Sequence, residues 1–253
     1  MKVLVTAIQK GGQGKTFTTC HLAFDALEKG LKVVVIDLDT QSNASWTLEN
    51  YKSGFLASKL FIGSDSQLQE HLASADEQSL FLIEADAGLA NLDKMTLGEA
   101  ATQLRTKIEI MSEHFDLCLI DTAPSLGVAM TAAILVSDYM VSPIELEAYS
   151  LQGMKKMVAV ISNLRKQNPK LKFLGMIPNK VDARKPRHIS NLAALRAAYP
   201  QLILPFTVGS RDSIAQALGE QIPVWEIKKT AARKAAHEVK AMTDYIFKKM
   251  EIV

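Results

Sequence analysis

The chain has 253 residues, 48% hydrophobic and 22% charged, with 13 Gly and 8 Pro. This composition excludes the disordered, collagen-like and low-complexity classes, and no apolar run approaches the roughly 20 residues that a bilayer span requires. The net charge of +2 conceals a division: residues 1–150 carry 10 Lys and Arg against 20 Asp and Glu (net −10), and residues 151–253 carry 19 against 7 (net +12). A polyanion-facing surface is therefore expected on the C-terminal part. Cys20 and Cys118 stand far apart, without His or Cys neighbours at metal spacing, and read as buried free thiols. The opening residues turn polar too quickly for a signal peptide, which predicts a cytoplasmic protein.

In chain order, apolar runs rich in β-branched residues predict buried strands at 3–8, 32–36, 80–83, 117–120, 139–142, 173–177 and 202–204. Helical spacing covers 18–29, 98–114, 151–167, 189–199 and 230–250. Strand alternating with helix implies an α/β fold: a doubly wound, mostly parallel sheet flanked by helices in a three-layer sandwich, as one domain over 1–253. Residues 42–79 carry no regular pattern.

The sharpest motif is Lys10-Gly11-Gly12-Gln13-Gly14-Lys15-Thr16, between the first strand and the first helix. Gly11, Gly12 and Gly14 let consecutive backbone N–H groups turn toward phosphate oxygens, and the N-terminus of the following helix adds its positive dipole end. Lys15 is placed to reach the β and γ phosphates and the Thr16 hydroxyl to ligate Mg²⁺. The general pattern has a Gly at position 9; here that residue is Gln9, followed by an additional lysine, Lys10. A carboxylate at a neighbouring strand end should hold the metal's water shell. Asp121, at the end of an apolar strand and before Pro124, is one candidate. Asp37 and Asp39, two apart on extended chain, face the same way, so one can face metal and the other the attacking water.

These segments resemble the ParA/MinD group of deviant Walker A ATPases, in its ParA partition branch. The resemblance rests on the loop 10–16, on Asp37-Leu38-Asp39-Thr40-Gln41 with Thr40 where the family has proline, on Asp121-Thr122-Ala123-Pro124, and on residues 143–153. It covers nearly the whole chain and implies a P-loop ATPase with ATP and Mg²⁺ as cofactors. By that resemblance Lys10 is the signature lysine that reaches the partner's nucleotide in an ATP-sandwich homodimer. Lys15 is the phosphate lysine in cis, Thr16 the Mg²⁺ ligand, and Asp121 a contact through water. Asp39 orients the attacking water, with Asp37 at the magnesium shell. Gln13 and Phe17 complete the cofactor loop. A lysine delivered by another subunit suits phosphoryl transfer, where positioning and charge neutralisation do most of the work. Asn179 resembles the strand-end asparagine that reads adenine, with Pro205 and Phe206 on the far wall. Asn179-Lys180-Val181-Asp182 also resembles the guanine-reading motif of GTPases, an alternative set against the Lys10 signature.

Family members bind duplex DNA without sequence preference through C-terminal basic residues. The candidates are Arg211, the cluster Lys228, Lys229, Arg233 and Lys234, and Arg184, Lys185 and Arg187. Only nine residues precede Lys10, so no helix-turn-helix domain is expected before the loop, and cargo choice would fall to a ParB-type centromere-binding partner that stimulates hydrolysis. Nucleoid association follows, and membrane contact is not expected. The alternative is a MinD-like positioning ATPase whose tail, residues 245–253, lies on a membrane. A third class, a nitrogenase-type reductase, would need paired cysteines that hold a cluster between subunits, and neither Cys20 nor Cys118 is placed for that.

Overall fold

The computed structural model describes residues 1–73, 79–146 and 151–252, with backbone alone for 151–157. Its centre is a run of apolar extended segments whose side chains alternate between two faces. β1 (Lys2–Thr6), β2 (Val33–Leu38), β3 (Lys52–Leu56), β4 (Leu80–Glu84), β5 (Leu117–Thr122), β6 (Tyr139–Glu145) and β7 (Lys172–Asn179) form a seven-stranded sheet in the order β3-β4-β2-β5-β1-β6-β7. All its pairings are parallel. Val3 and Val5 of β1, Val34 and Ile36 of β2, and Cys118 and Ile120 of β5 enter one apolar layer. Leu4, Val33, Val35, Leu117 and Leu119 enter the opposite one. Strands buried on both faces read as continuous apolar runs, which is why the sequence located them.

The first layer is covered by α3 (Lys59–Ile62), α4 (Asp65–Leu72), α5 (Leu97–Met111), α6 (Val128–Val136), α7 (Leu151–Gln167) and α8 (Pro186–Ala198). The second is covered by α1 (Lys15–Glu28), α2 (Asn43–Thr47), α9 (Asp212–Gly219) and α10 (Ala232–Met250). Capping residues fix the starts: Ser64 and Thr96 each form a reciprocal capping box, and Pro186 occupies the first turn of α8. Cys20 and Cys118 are buried free thiols. The expected doubly wound parallel sheet between helical layers is the fold observed.

Two strand assignments differ. Residues 202–204 make a single bridge, Ile203 to Met176, through Met176 N to Leu202 O and Leu204 N to Met176 O. The ladder stops there because the next donor due from β7 is Pro178, which has no N–H to offer Leu204 O. Gly175, at φ 133, admits this approach: a Cβ there would stand 2.7 Å from Leu204 Cδ2. Conversely β3 was missed, because it buries only Phe55 and bends at Gly54 with φ 76. The unpatterned stretch 42–79 holds α2, β3, α3 and α4. The motif at 143–153 lies partly outside the described residues, at 147–150. Among the described residues, no helix is long and apolar enough to cross a membrane.

α1 is tied to the C-terminal part through His21, whose Nε2 accepts from Val224 N at 3.2 Å while Nδ1 bonds Phe17 O at 3.0 Å. Full burial pushes the imidazole pKa down to about 4, so the native ring is neutral. The unfolded chain takes up this proton near pH 6.5, so the contribution is present above that pH and is lost as pH falls toward 4. Between pH 7 and 4 the loss should amount to about 3 kcal/mol. Urea unfolding of His21→Gln should show a correspondingly flatter acid limb than the parent chain, and parallel limbs would place the titration elsewhere.

Candidate nucleotide-binding site

Parallel register brings the functional strand ends together: Thr6 pairs with Asp121 across β1 and β5, and Asp121 pairs with Asp37 across β5 and β2. The chain leaves β1 as the Lys10–Thr16 loop and enters α1 at Lys15, with Gly14 as N-cap at φ 101. No side chain caps α1, so its first N–H groups stay available to a ligand. A cleft of about 740 Å³ opens over this loop. Gly11, Gly12, Gly14, Lys15, Thr16 and Phe17 line it below, and Asp39, Asn179 and Lys180 flank it.

Thr16 Oγ1 donates to Asp121 Oδ2 at 2.6 Å. Burial, then the neighbouring Asp37, push the Asp121 carboxyl up to about 8 against the pull of Thr16 and Lys15. Its Oδ1 is buried without a hydrogen-bond partner among the described residues. Burial draws the Lys15 ammonium below its ordinary pKa, opposed by Asp121 and Asp39. A hydroxyl bonded to a carboxylate that keeps one oxygen unsatisfied fits a magnesium ion, which needs few protein ligands and retains waters. No cluster of three His, Cys, Asp or Glu at metal-holding geometry occurs among the described residues.

Asp37 and Asp39 separate into different environments. Asp37 Oδ1 accepts from Asp39 N at 3.0 Å, and Oδ2 from the Ser45 N–H and hydroxyl, each at 2.8 Å. Both its oxygens are therefore engaged in shaping the loop after β2. Asp39 lines the cleft, and its Oδ1 accepts from Gln41 N at 3.0 Å. Ser42 N bonds Asp39 O at 2.8 Å, so 39–42 is a β-turn with Thr40 at its second position. Proline is favoured at that position but not required, and exposed Thr40 fits there.

The loop is braced from behind by β7. Asn179 Nδ2 donates to Gln13 O at 2.7 Å, and Lys180 Nζ donates to Gly12 O at 2.6 Å while pairing with Glu145 Oε1. Gln13 is itself buried, its Oε1 accepting from Glu145 N at 2.8 Å. Lys10 is exposed, does not line the cleft and has no partner among the described residues.

Several expected residues lie elsewhere. Pro205 and Phe206 do not line the cleft: Pro205 is exposed, and Phe206 packs edge-on against Tyr245 at 5.5 Å. The far wall is instead the segment 209–219, with Ser210, Asp212, Ile214, Ala215 and Leu218, which the sequence did not single out. The available signal was Val208-Gly209-Ser210 ahead of an amphipathic turn. Arg211 is not an open cation. Its guanidinium is held by Glu238, Nε to Oε2 at 2.9 Å and the second nitrogen to Oε1 at 2.6 Å. Arg184 is exposed but paired with Asp182. Lys185, Arg187, Lys228, Lys229, Arg233 and Lys234 are exposed, with Lys229 bonded to Gln216.

A family model described as an AAA domain matches residues 1–173. The chain belongs to this family, in its ParA/MinD-type branch. It is similar to protein IncC of Escherichia coli, 72% identical over 252 residues, covering 100% of this chain and 70% of that protein. Its fold is like that of the ATP complex of McdA from Cyanothece (TM-score 0.77, 25% identity, 97% and 96% of the two chains). The same holds for a plasmid partition protein from Borrelia burgdorferi bound to AMPPNP (TM-score 0.74, 22% identity, 98% and 99%).

Gly14 and Gly12 separate two costs within the loop. Both have positive φ, but a Cβ on Gly14 would stand 2.1 Å from Asn179 Nδ2, whereas the space at Gly12 is open. Gly12→Ala should therefore weaken nucleoside triphosphate binding about fivefold, from left-handed strain alone. Gly14→Ala should weaken it at least about tenfold more, since the clash adds to strain of the same size. Titration with a fluorescent triphosphate checks this, and equal losses would refute the bracing role of Asn179.

Proposed function

We propose that the chain is a ParA-type partition ATPase. It binds ATP with Mg²⁺, dimerises around the nucleotide, holds duplex DNA without sequence preference and segregates plasmid DNA. In this reading residues 1–253 act as one ATPase domain, associated with the nucleoid, and a ParB-type partner stimulates hydrolysis. The observation that carries it is Lys10, a loop lysine that is exposed, lies outside its own cleft and has no partner among the described residues, as a cation offered to a second subunit would be. The 72% identity to IncC and the likeness to a plasmid partition protein support the same reading.

Within one subunit, Lys15 neutralises phosphate charge, and the loop and α1 N–H groups hold the oxygens. Thr16 and Asp121 are the residues that would hold magnesium, whose charge stabilises the phosphate oxygens during transfer. Asp39 faces the cleft with one oxygen uncommitted by hydrogen bonding and is the group placed to orient water. Asp37 keeps the Asp39 turn in place through Ser45. Asn179, with Nδ2 used on the loop, retains its amide oxygen to accept from adenine.

For DNA, the exposed cluster Lys228, Lys229, Arg233 and Lys234 is the proposed footprint, joined by Lys185 and Arg187 on the α8 side. Arg211 drops out because Glu238 holds it. The membrane alternative loses its apolar face: Ile246, Phe247 and Met250 are fully buried against the sheet.

Binding to a random duplex should appear with ATP and not with ADP, and should weaken steeply as salt rises. Binding independent of nucleotide would refute the gating. Lys10→Ala should bind ATP as the parent does, yet stay monomeric by light scattering and turn over ATP at least about tenfold more slowly, as expected for a cation supplied in trans. An ATP-dependent dimer with unchanged turnover would remove Lys10 from the proposed role.

A further inference from the structure

Asn179-Lys180-Val181-Asp182 carries the residue types that read guanine, yet its aspartate is already occupied. Asp182 Oδ1 accepts from Arg184 N and Nε, both at 3.0 Å, and Oδ2 accepts from the second guanidinium nitrogen at 3.1 Å. The Asp182 N–H donates to His188 Nδ1 at 3.0 Å, which fixes the backbone from which this carboxylate projects. Asp182 does not itself line the cleft but follows closely on residues that do: Lys180 lines it, and Val181 is bridged to the lining residue Gly209, with Ser210 N bonding Val181 O.

We propose that the Arg184–Asp182 pair is the specificity determinant that closes this cleft to guanine. A carboxylate recognises guanine by accepting from N1–H and the N2 amino group together, which requires both oxygens. Arg184 presents the same two-pronged donor pattern, with a full charge, to the same two oxygens. The paired carboxyl is held at about 2, chiefly by the Arg184 guanidinium and backbone N–H. Adenine gains by the same arrangement. Its N1 is an acceptor that an unpaired carboxylate would repel, and Arg184 cancels that charge. The base is then chosen by the Asn179 amide, leaving Asp182 silent. The pair belongs to the chain's own sequence, two residues apart, so it is present with or without nucleotide.

This inference rests on the nucleotide reading of the cleft and is tested by binding alone. Fluorescent ATP and GTP analogues with magnesium are displaced by the unlabelled nucleotides from the parent chain, from Arg184→Ala and from the double variant Arg184→Ala/Asp182→Asn. Arg184 is 90% exposed in its side chain, so its removal leaves the core untouched. The parent should prefer ATP. Arg184→Ala should gain about tenfold in GTP affinity, within the range of a bidentate base contact, and the double variant should lose that gain. An unchanged ATP to GTP ratio in Arg184→Ala, or a gain that survives in the double variant, overturns this inference alone. Absence of ATP binding by the parent chain overturns the nucleotide reading together with it.

Discussion

The phosphate loop faces its cleft because two of its carbonyls are held from behind. A trans peptide points its C=O and the following N–H in opposite directions. Lys180 takes the carbonyl of Gly12 and Asn179 that of Gln13, so the N–H groups of Gln13 and Gly14 are turned the other way, toward the cleft. Lys180 can reach back because it adopts φ 52 as the chain leaves β7, and its charge is answered by Glu145 at the end of β6. Two adjacent strand ends thus fix the orientation of a glycine-rich segment that could otherwise sample many conformations.

A second constraint comes from placing Asp37 and Asp121 side by side in register, both fully buried. Two carboxylates about 5 Å apart, both ionised, would repel by about 3 kcal/mol at an effective dielectric near 20. The hydrogen bonds divide the load unequally. Asp37 receives three, while Asp121 receives one and keeps Oδ1 bare. The cost therefore concentrates on Asp121, whose carboxyl lies at about 8. A buried acid kept short of protein partners gains most from a divalent cation, so the register that burdens Asp121 also favours metal there.

Legibility in the sequence followed the physics of each signal. The loop and the strand ends were readable because glycine spacing and two-sided burial leave local marks, and Asp37, Asp39 and Asp121 fall where those strands stop. What escaped depends on partners distant in sequence. Arg211 looks like a surface cation until Glu238, 27 residues on, is seen to hold it. Pro205 and Phe206 lie close in sequence to the cleft wall, but the chain turns only after Val208 N bonds Pro178 O. β3 has a single buried residue, too few to set a period. Arg184 was counted toward nucleic acid although its counter-ion stands two residues away.

The same accounting bears on how DNA affinity could be gated. α1, which begins at the phosphate loop, is joined to α10 by Lys240, which bonds Asp25 and Glu28 and lies 3.8 Å above the Trp225 ring. Burial works to raise Asp25, but Lys240, Thr243 and Lys29 hold its carboxyl below the ordinary value, so it stays charged and the bridge stays closed. The bridge ties the helix that follows the loop to the helix that carries Arg233 and Lys234. On the proposed reading the gate is then the number of clusters presented together. The six exposed cations of the footprint on one chain give a salt slope of about −5.4, and twelve on a dimer about −11. With each added phosphate contact multiplying affinity, dimerisation alone separates a chain that drifts off duplex DNA from one that stays.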